Sequence, residues 1–109
     1  MNKDAATERS LTEYAKENIE SIHRLSRSYN GSEEDHSRVL LLLAEKHVKE
    51  IEELYAAGDD HFSVEVGDLM ILCLELLEEC RKDPDTVMEE CYGRYKRKLS
   101  ALIKERGNG

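Results

Sequence analysis

The chain has 109 residues, a net charge of −8 and 37% charged residues, with one proline and no tryptophan. That length supports a single domain, residues 1–109, with one modest core, and the profile suits helices with charged outer faces better than a sheet. The acidic balance argues against nucleic acid as a partner, since phosphate backbones are gripped by basic faces. A small polyphosphate accompanied by a metal ion stays open, because the ion inverts the local field.

Four helices are expected. The first begins at Ser10, with Glu13 completing a capping box, and its stripe runs Leu11, Tyr14, Ala15, Asn18, Ile19, Ile22, Leu25 and Tyr29 until Asn30-Gly31 ends it. Ser32 caps the second, with Glu33, Glu34 and Asp35 placing negative charge at the positive end of the helix dipole. Its stripe is Val39, Leu40, Leu43, His47, Ile51 and Leu54, and Gly58 stops it.

The third helix starts around Asp60 to Phe62 and continues to about Arg81. It is apolar around most of its circumference (Val66, Leu69, Met70, Leu72, Cys73, Leu74, Leu76, Leu77), so it must be covered on several sides. Three other helices are thin cover for it, and a subunit interface is the natural inference. The fourth opens at Asp83-Pro84, cap and first helical position. Val87, Met88, Cys91, Tyr95, Leu99, Leu102 and Ile103 are expected as its inner face, with Gly107 just past the end. Residues 1–7 and 107–109 read as frayed tails.

Two acidic signatures flank the second turn: Glu50-Ile51-Glu52-Glu53 and Glu65-Val66-Gly67-Asp68. Residues three apart share a helix face. An antiparallel hairpin centred on Gly58 would set Glu53 opposite Glu65 and Glu50 opposite Asp68. Four converging carboxylates repel unless a cation sits among them, so the pattern points to a divalent-metal site. Solvated acids on charged helices are the plain alternative, and E-x-x-E is common in so glutamate-rich a chain. The second signature is the more specific. It opens the most apolar helix, and Gly67 costs about 1 kcal/mol relative to alanine in a helix, which calls for a packing or close-approach reason.

The segment from His47 to Leu54, a short turn, then Val64-Glu-Val-Gly-Asp-Leu-Met70 resembles the MazG-type all-alpha nucleoside triphosphate pyrophosphohydrolases. The resemblance covers about residues 36 to 100. It implies an all-α, four-helix bundle completed as a homodimer or a dimer of dimers. It further implies Mg2+-dependent cleavage of a nucleoside triphosphate to monophosphate and pyrophosphate, with Glu50, Glu53, Glu65 and Asp68 as catalytic metal ligands. The gap between signatures is about one helical turn shorter than is usual in that family. A second register therefore pairs His47 and Glu50 with the family's first two acids and leaves Glu53 peripheral. An imidazole there would weaken a magnesium site and favour Mn2+, or mark a non-catalytic helical dimer that binds nucleotide or protein.

Arg94, Lys96, Arg97 and Lys98 are the one dense basic cluster, and Arg94 and Lys98 share a face. They are either a solvated surface or, as the resemblance suggests, groups that hold substrate phosphates. Glu75 falls on the stripe of Asp68, where it could hold a second cation or a basic group, pair with a neighbouring helix or face solvent. Tyr14, Asn18 and Tyr92 could line a base pocket, although core packing explains the tyrosines equally well. His23, His36 and His61 make no ligand spacing and read as surface or helix-end residues. Cys73, Cys80 and Cys91 form no C-x-x-C and read as small apolar core residues in a reducing cytosol. The polar N-terminus does not resemble a signal peptide, and the apolar run from Leu69 to Leu77 is too short for a bilayer. A cytoplasmic protein without a membrane partner is expected.

Overall fold

The computed structural model describes residues 11–30 and 35–108. These form four helices: α1 Leu11–Asn30, α2 His36–Ala56, α3 Phe62–Glu79 and α4 Pro84–Asn108. No strand occurs among the described residues. The caps expected at Ser10 and Ser32, the stop at Gly31 and the tail 1–7 lie outside them. Gly107 is inside α4 rather than beyond it.

Gly58 ends α2 as anticipated. It adopts φ 72°, the left-handed conformation that glycine tolerates without a Cβ clash. Asp59 N–H then reaches back to the Leu54 carbonyl at 2.9 Å, and Gly58 N–H to Tyr55 at 3.1 Å. A short turn thus folds α3 back along α2, and the Tyr55 and Phe62 rings meet edge-on at 5.4 Å beside it. The same closure recurs after α3 at Arg81, φ 57°, where Lys82 N–H bonds to the Leu77 carbonyl at 2.9 Å. Asp83 caps α4 as expected, accepting from Thr86 N–H at 3.0 Å and from its hydroxyl at 2.9 Å.

α2 packs along α3, and α1 crosses α3; α4 touches the other helices only slightly. The apolar core of the described chain is correspondingly small, with only Ile19 and Leu40 fully buried. Two expectations are corrected by this. Tyr95, Leu99, Leu102 and Ile103 do not form an inner face, since each is more than half exposed. Cys73 and Cys80 are exposed and Cys91 is half-buried, so the thiols are not core residues within one chain. Periodicity identifies an apolar face but not what covers it, and here one chain leaves such faces open. Among the described residues, no helix is long and apolar enough to cross a membrane.

Candidate metal centre

α2 and α3 bring together His47, Glu65 and Asp68. Each offers one ligand atom, and these atoms lie within 4.8 Å of one another. His47 Nε2 is 3.3 Å from Glu65 Oε1 and 3.8 Å from Asp68 Oδ2. The pairing follows from helix geometry, since Glu65 and Asp68 project from one face of α3 and His47 from the facing stripe of α2. His61, at the start of α3, adds an imidazole 3.8 Å from Glu65 Oε2.

The hydrogen bond on the far side of His47 decides what its near side can do. Nδ1 lies 2.9 Å from the Leu43 carbonyl oxygen. That oxygen can only accept, so Nδ1 carries a proton and Nε2 is the nitrogen turned toward the two carboxylates. A proton or a metal ion held at Nε2 draws the imidazole and the two carboxylates together. Neither separation is a short direct hydrogen bond. Glu65 Oε1 is buried and has no hydrogen-bond partner, which costs free energy until something positive binds it.

Glu50 lies one turn from His47 toward the hairpin and is half-buried, whereas Glu53 is exposed. Neither belongs to the close cluster. Gly67, between the two α3 acids, has nothing within 4 Å of where a Cβ would stand. The packing reason expected for it is therefore absent, and the space beside it is open.

A cleft of about 410 Å3 opens from the cluster. His47 and Asp68 stand at its polar edge, Ile22, Leu25, Ile71 and Leu72 make apolar walls, and Ser26 and Glu75 complete the lining. Asn18 and Tyr92 are not among its lining residues, nor are Arg94 and Lys98, and the side chain of Tyr14 lies outside the described ones. The last two are exposed on α4, with Lys98 Nζ 6.0 Å from the centre of the Tyr95 ring.

Farther along the same helices is a grouping the sequence did not suggest. His23 of α1 and His36 of α2, read as scattered surface or helix-end residues, meet with ring centres 5.7 Å apart, beside Glu75 and Glu79 of α3. His36 is wholly buried and Glu75 nearly so, rather than facing solvent. Glu75 and Glu79 share a face at i,i+4, but histidines on two other helices leave no local spacing to find. Burial raises the Glu79 carboxyl, and the hydrogen bonds from His23 and Arg27 outweigh it, holding the group below the usual carboxylate range.

No family model, no curated protein and no solved structure matches the chain.

Proposed function

We propose that the protein is a divalent-metal-dependent nucleoside triphosphate pyrophosphohydrolase of the MazG-like kind, working from the cleft between α1, α2 and α3. The observation that carries this reading is His47 Nε2 facing Glu65 and Asp68, with the unpartnered Glu65 Oε1 beside it. Two carboxylates and one imidazole fit Mg2+ or Mn2+, and the imidazole shifts the balance toward Mn2+. Glu65, Asp68 and His47 would hold the ion, with Glu50 one turn away on the hairpin side, opposite the apolar walls of the cleft. When bound, the ion supplies charge neutralisation for the triphosphate and a more acidic attacking water.

The chain's own groups then have distinct tasks. The apolar walls formed by Ile22, Leu25, Ile71 and Leu72 take the nucleoside. Glu50 accepts the proton of the water that attacks the α-phosphorus. The α–β anhydride bond breaks, and monophosphate and pyrophosphate leave without a covalent intermediate. Arg94 and Lys98 serve the phosphates from the α4 of a second subunit, in a homodimer or a dimer of dimers. The exposed apolar stripe of α4, Tyr92, Tyr95, Leu99, Leu102 and Ile103, supports that assembly.

The test is pyrophosphate release from a panel of canonical and modified nucleoside triphosphates with Mg2+ or Mn2+. Turnover is expected, higher with Mn2+, and Asp68→Asn should lower it by more than the 10–100-fold typical of an outer-shell partner. His47→Glu should move the preference toward Mg2+. No turnover with any substrate, and no metal-dependent rise in melting temperature, would sink the enzyme reading. Nucleotide binding without turnover would favour the second reading, a non-catalytic dimer, for which the imidazole in an otherwise acidic site speaks.

A further inference from the structure

The second cluster differs from the first in composition and depth. His23 Nε2 is 2.6 Å from Glu79 Oε1, and His23, His36 and Glu79 present ligand atoms within 4.8 Å of one another. One residue comes from each of three helices. A separate observation concerns Glu75, one turn before Glu79 on α3. Its side chain is 4% exposed, and its Oε1 has no hydrogen-bond partner. The nearest positive candidate is His36 Nε2 at 3.6 Å, too far for a hydrogen bond. A buried carboxylate oxygen without a partner is costly, and this one is aimed at the imidazole that the cluster already contains.

We infer that His23, His36, Glu75 and Glu79 form a binding site for a borderline divalent transition ion of the Zn2+ or Co2+ type. Two imidazoles and two carboxylates suit such ions; Mg2+ and Ca2+ prefer all-oxygen sets. The ion takes the place of the proton now shared by His23 and Glu79. Ligands about 2.0–2.2 Å from one ion stand a little over 3 Å apart, so the 2.6 Å pair opens slightly and the 3.6 Å pair closes slightly. Outer partners are in position. Arg27 Nη1 donates to both Glu79 oxygens, at 3.0 and 2.8 Å, and keeps the distal one. The Asn30 amide is 3.4 Å from His36 Nδ1, where its oxygen, with the amide turned over, accepts the Nδ1 proton, and Nε2 exchanges its 3.4 Å contact with Ser26 Oγ for the ion. The ligand set shares no residue with His47, Glu65 and Asp68, although Glu75 also lines the cleft beside them, and it stands whether or not that centre hydrolyses nucleotides. Its role is structural, fastening α1 to α2 and α3.

The experiment is Co2+ titration of the metal-free full chain, read by visible absorption, with Zn2+ titration read by melting temperature. One equivalent of Co2+ should give ligand-field bands without the near-ultraviolet thiolate charge-transfer band that Cys80 ligation would produce. Excess Mg2+ should not abolish them. Zn2+ at about 100 times its dissociation constant should raise the melting temperature by roughly 10 °C. The bands should persist in His47→Ala and disappear in His23→Ala and in Glu79→Gln, each checked for unchanged helicity by circular dichroism. Should either variant fail to fold, Glu75→Gln, which keeps the buried side chain's shape, is expected to weaken Co2+ binding at least tenfold. Absence of bands in the wild type, bands lost with His47→Ala, or bands kept in all three cluster variants would overturn the assignment.

Discussion

Gly67 stands between the two acids of the α3 signature, and nothing in the fold asks for it. A Cβ there would meet no atom within 4 Å, and the backbone is ordinary helix. Alanine at a helix interior is favoured over glycine by about 0.5–1 kcal/mol. Gly67→Ala should therefore stabilise the protein by that amount, measured from denaturant midpoints. If the open space beside Glu65 and Asp68 admits metal and phosphate, the same change lowers turnover. Stability and activity moving in opposite directions is the expected outcome, and a variant both more stable and fully active would show that the space holds nothing. The sequence marked this glycine as needing a packing or close-approach reason, and the open space leaves only the second. Similarly, it offered two registers for the first signature. What distinguishes His47 is its Nδ1 bond to Leu43, a hydrogen bond within one helical turn that spacing alone cannot rank against the longer-range pairing of Glu53.

At the scale of elements, α4 was the most legible at its start and the least legible along its length. Asp83 and Pro84 announced the cap, and the cap is there. Lys16 of α1 also donates to Asp83 Oδ1 at 3.1 Å, which ties the beginning of α4 to α1. The Lys16 bond, then those from the Thr86 hydroxyl and backbone, hold the Asp83 carboxyl below its ordinary value. A depressed carboxylate stabilises the fold above its unfolded value, and that contribution is lost as pH falls through the folded value, below about 4. Lys16 is raised, mainly by the Asp83 hydrogen bond, so its part persists until pH climbs past the ordinary lysine range. Asp83→Ala should thus lower the melting temperature at pH 7, with the gap to wild type shrinking by pH 3. Equal gaps at both pH values would mean that the carboxylate charge contributes nothing to the cap. The α4 stripe was misjudged because a 3.6-residue period reports only that one face is apolar.

For the whole molecule, that open face has the largest consequence. Leu41, Leu42 and Val48 on α2 are also exposed, as are Met70 and Ile71 on α3. A chain with Ile19 and Leu40 as its fully buried apolar residues has little core of its own. Association through α4 should give a species of twice the monomer mass in sedimentation or light scattering. Leu102→Glu should shift it to monomer and lower its melting temperature; a monomeric wild type would rule the assembly out. The helices themselves were readable because periodicity is strong and because Gly58 and Asp83-Pro84 punctuate it. The His23–His36–Glu79 grouping was not, since it exists only where three helices cross.

The brevity of the Gly58 turn also sets an order in time. His47, Glu65 and Asp68 belong to two helices joined by a five-residue link, Ala57 to His61. Closing so small a loop costs little chain entropy, and helix pairing between sequence neighbours is among the fastest steps in folding. The His47–Glu65–Asp68 cluster can therefore assemble while α1 and α4 are still searching for their places. His23 must arrive with α1 from the other end of a longer excursion. The expected outcome is that mutations in the α2–α3 hairpin slow folding, while mutations at His23 chiefly speed unfolding, read from folding and unfolding rates.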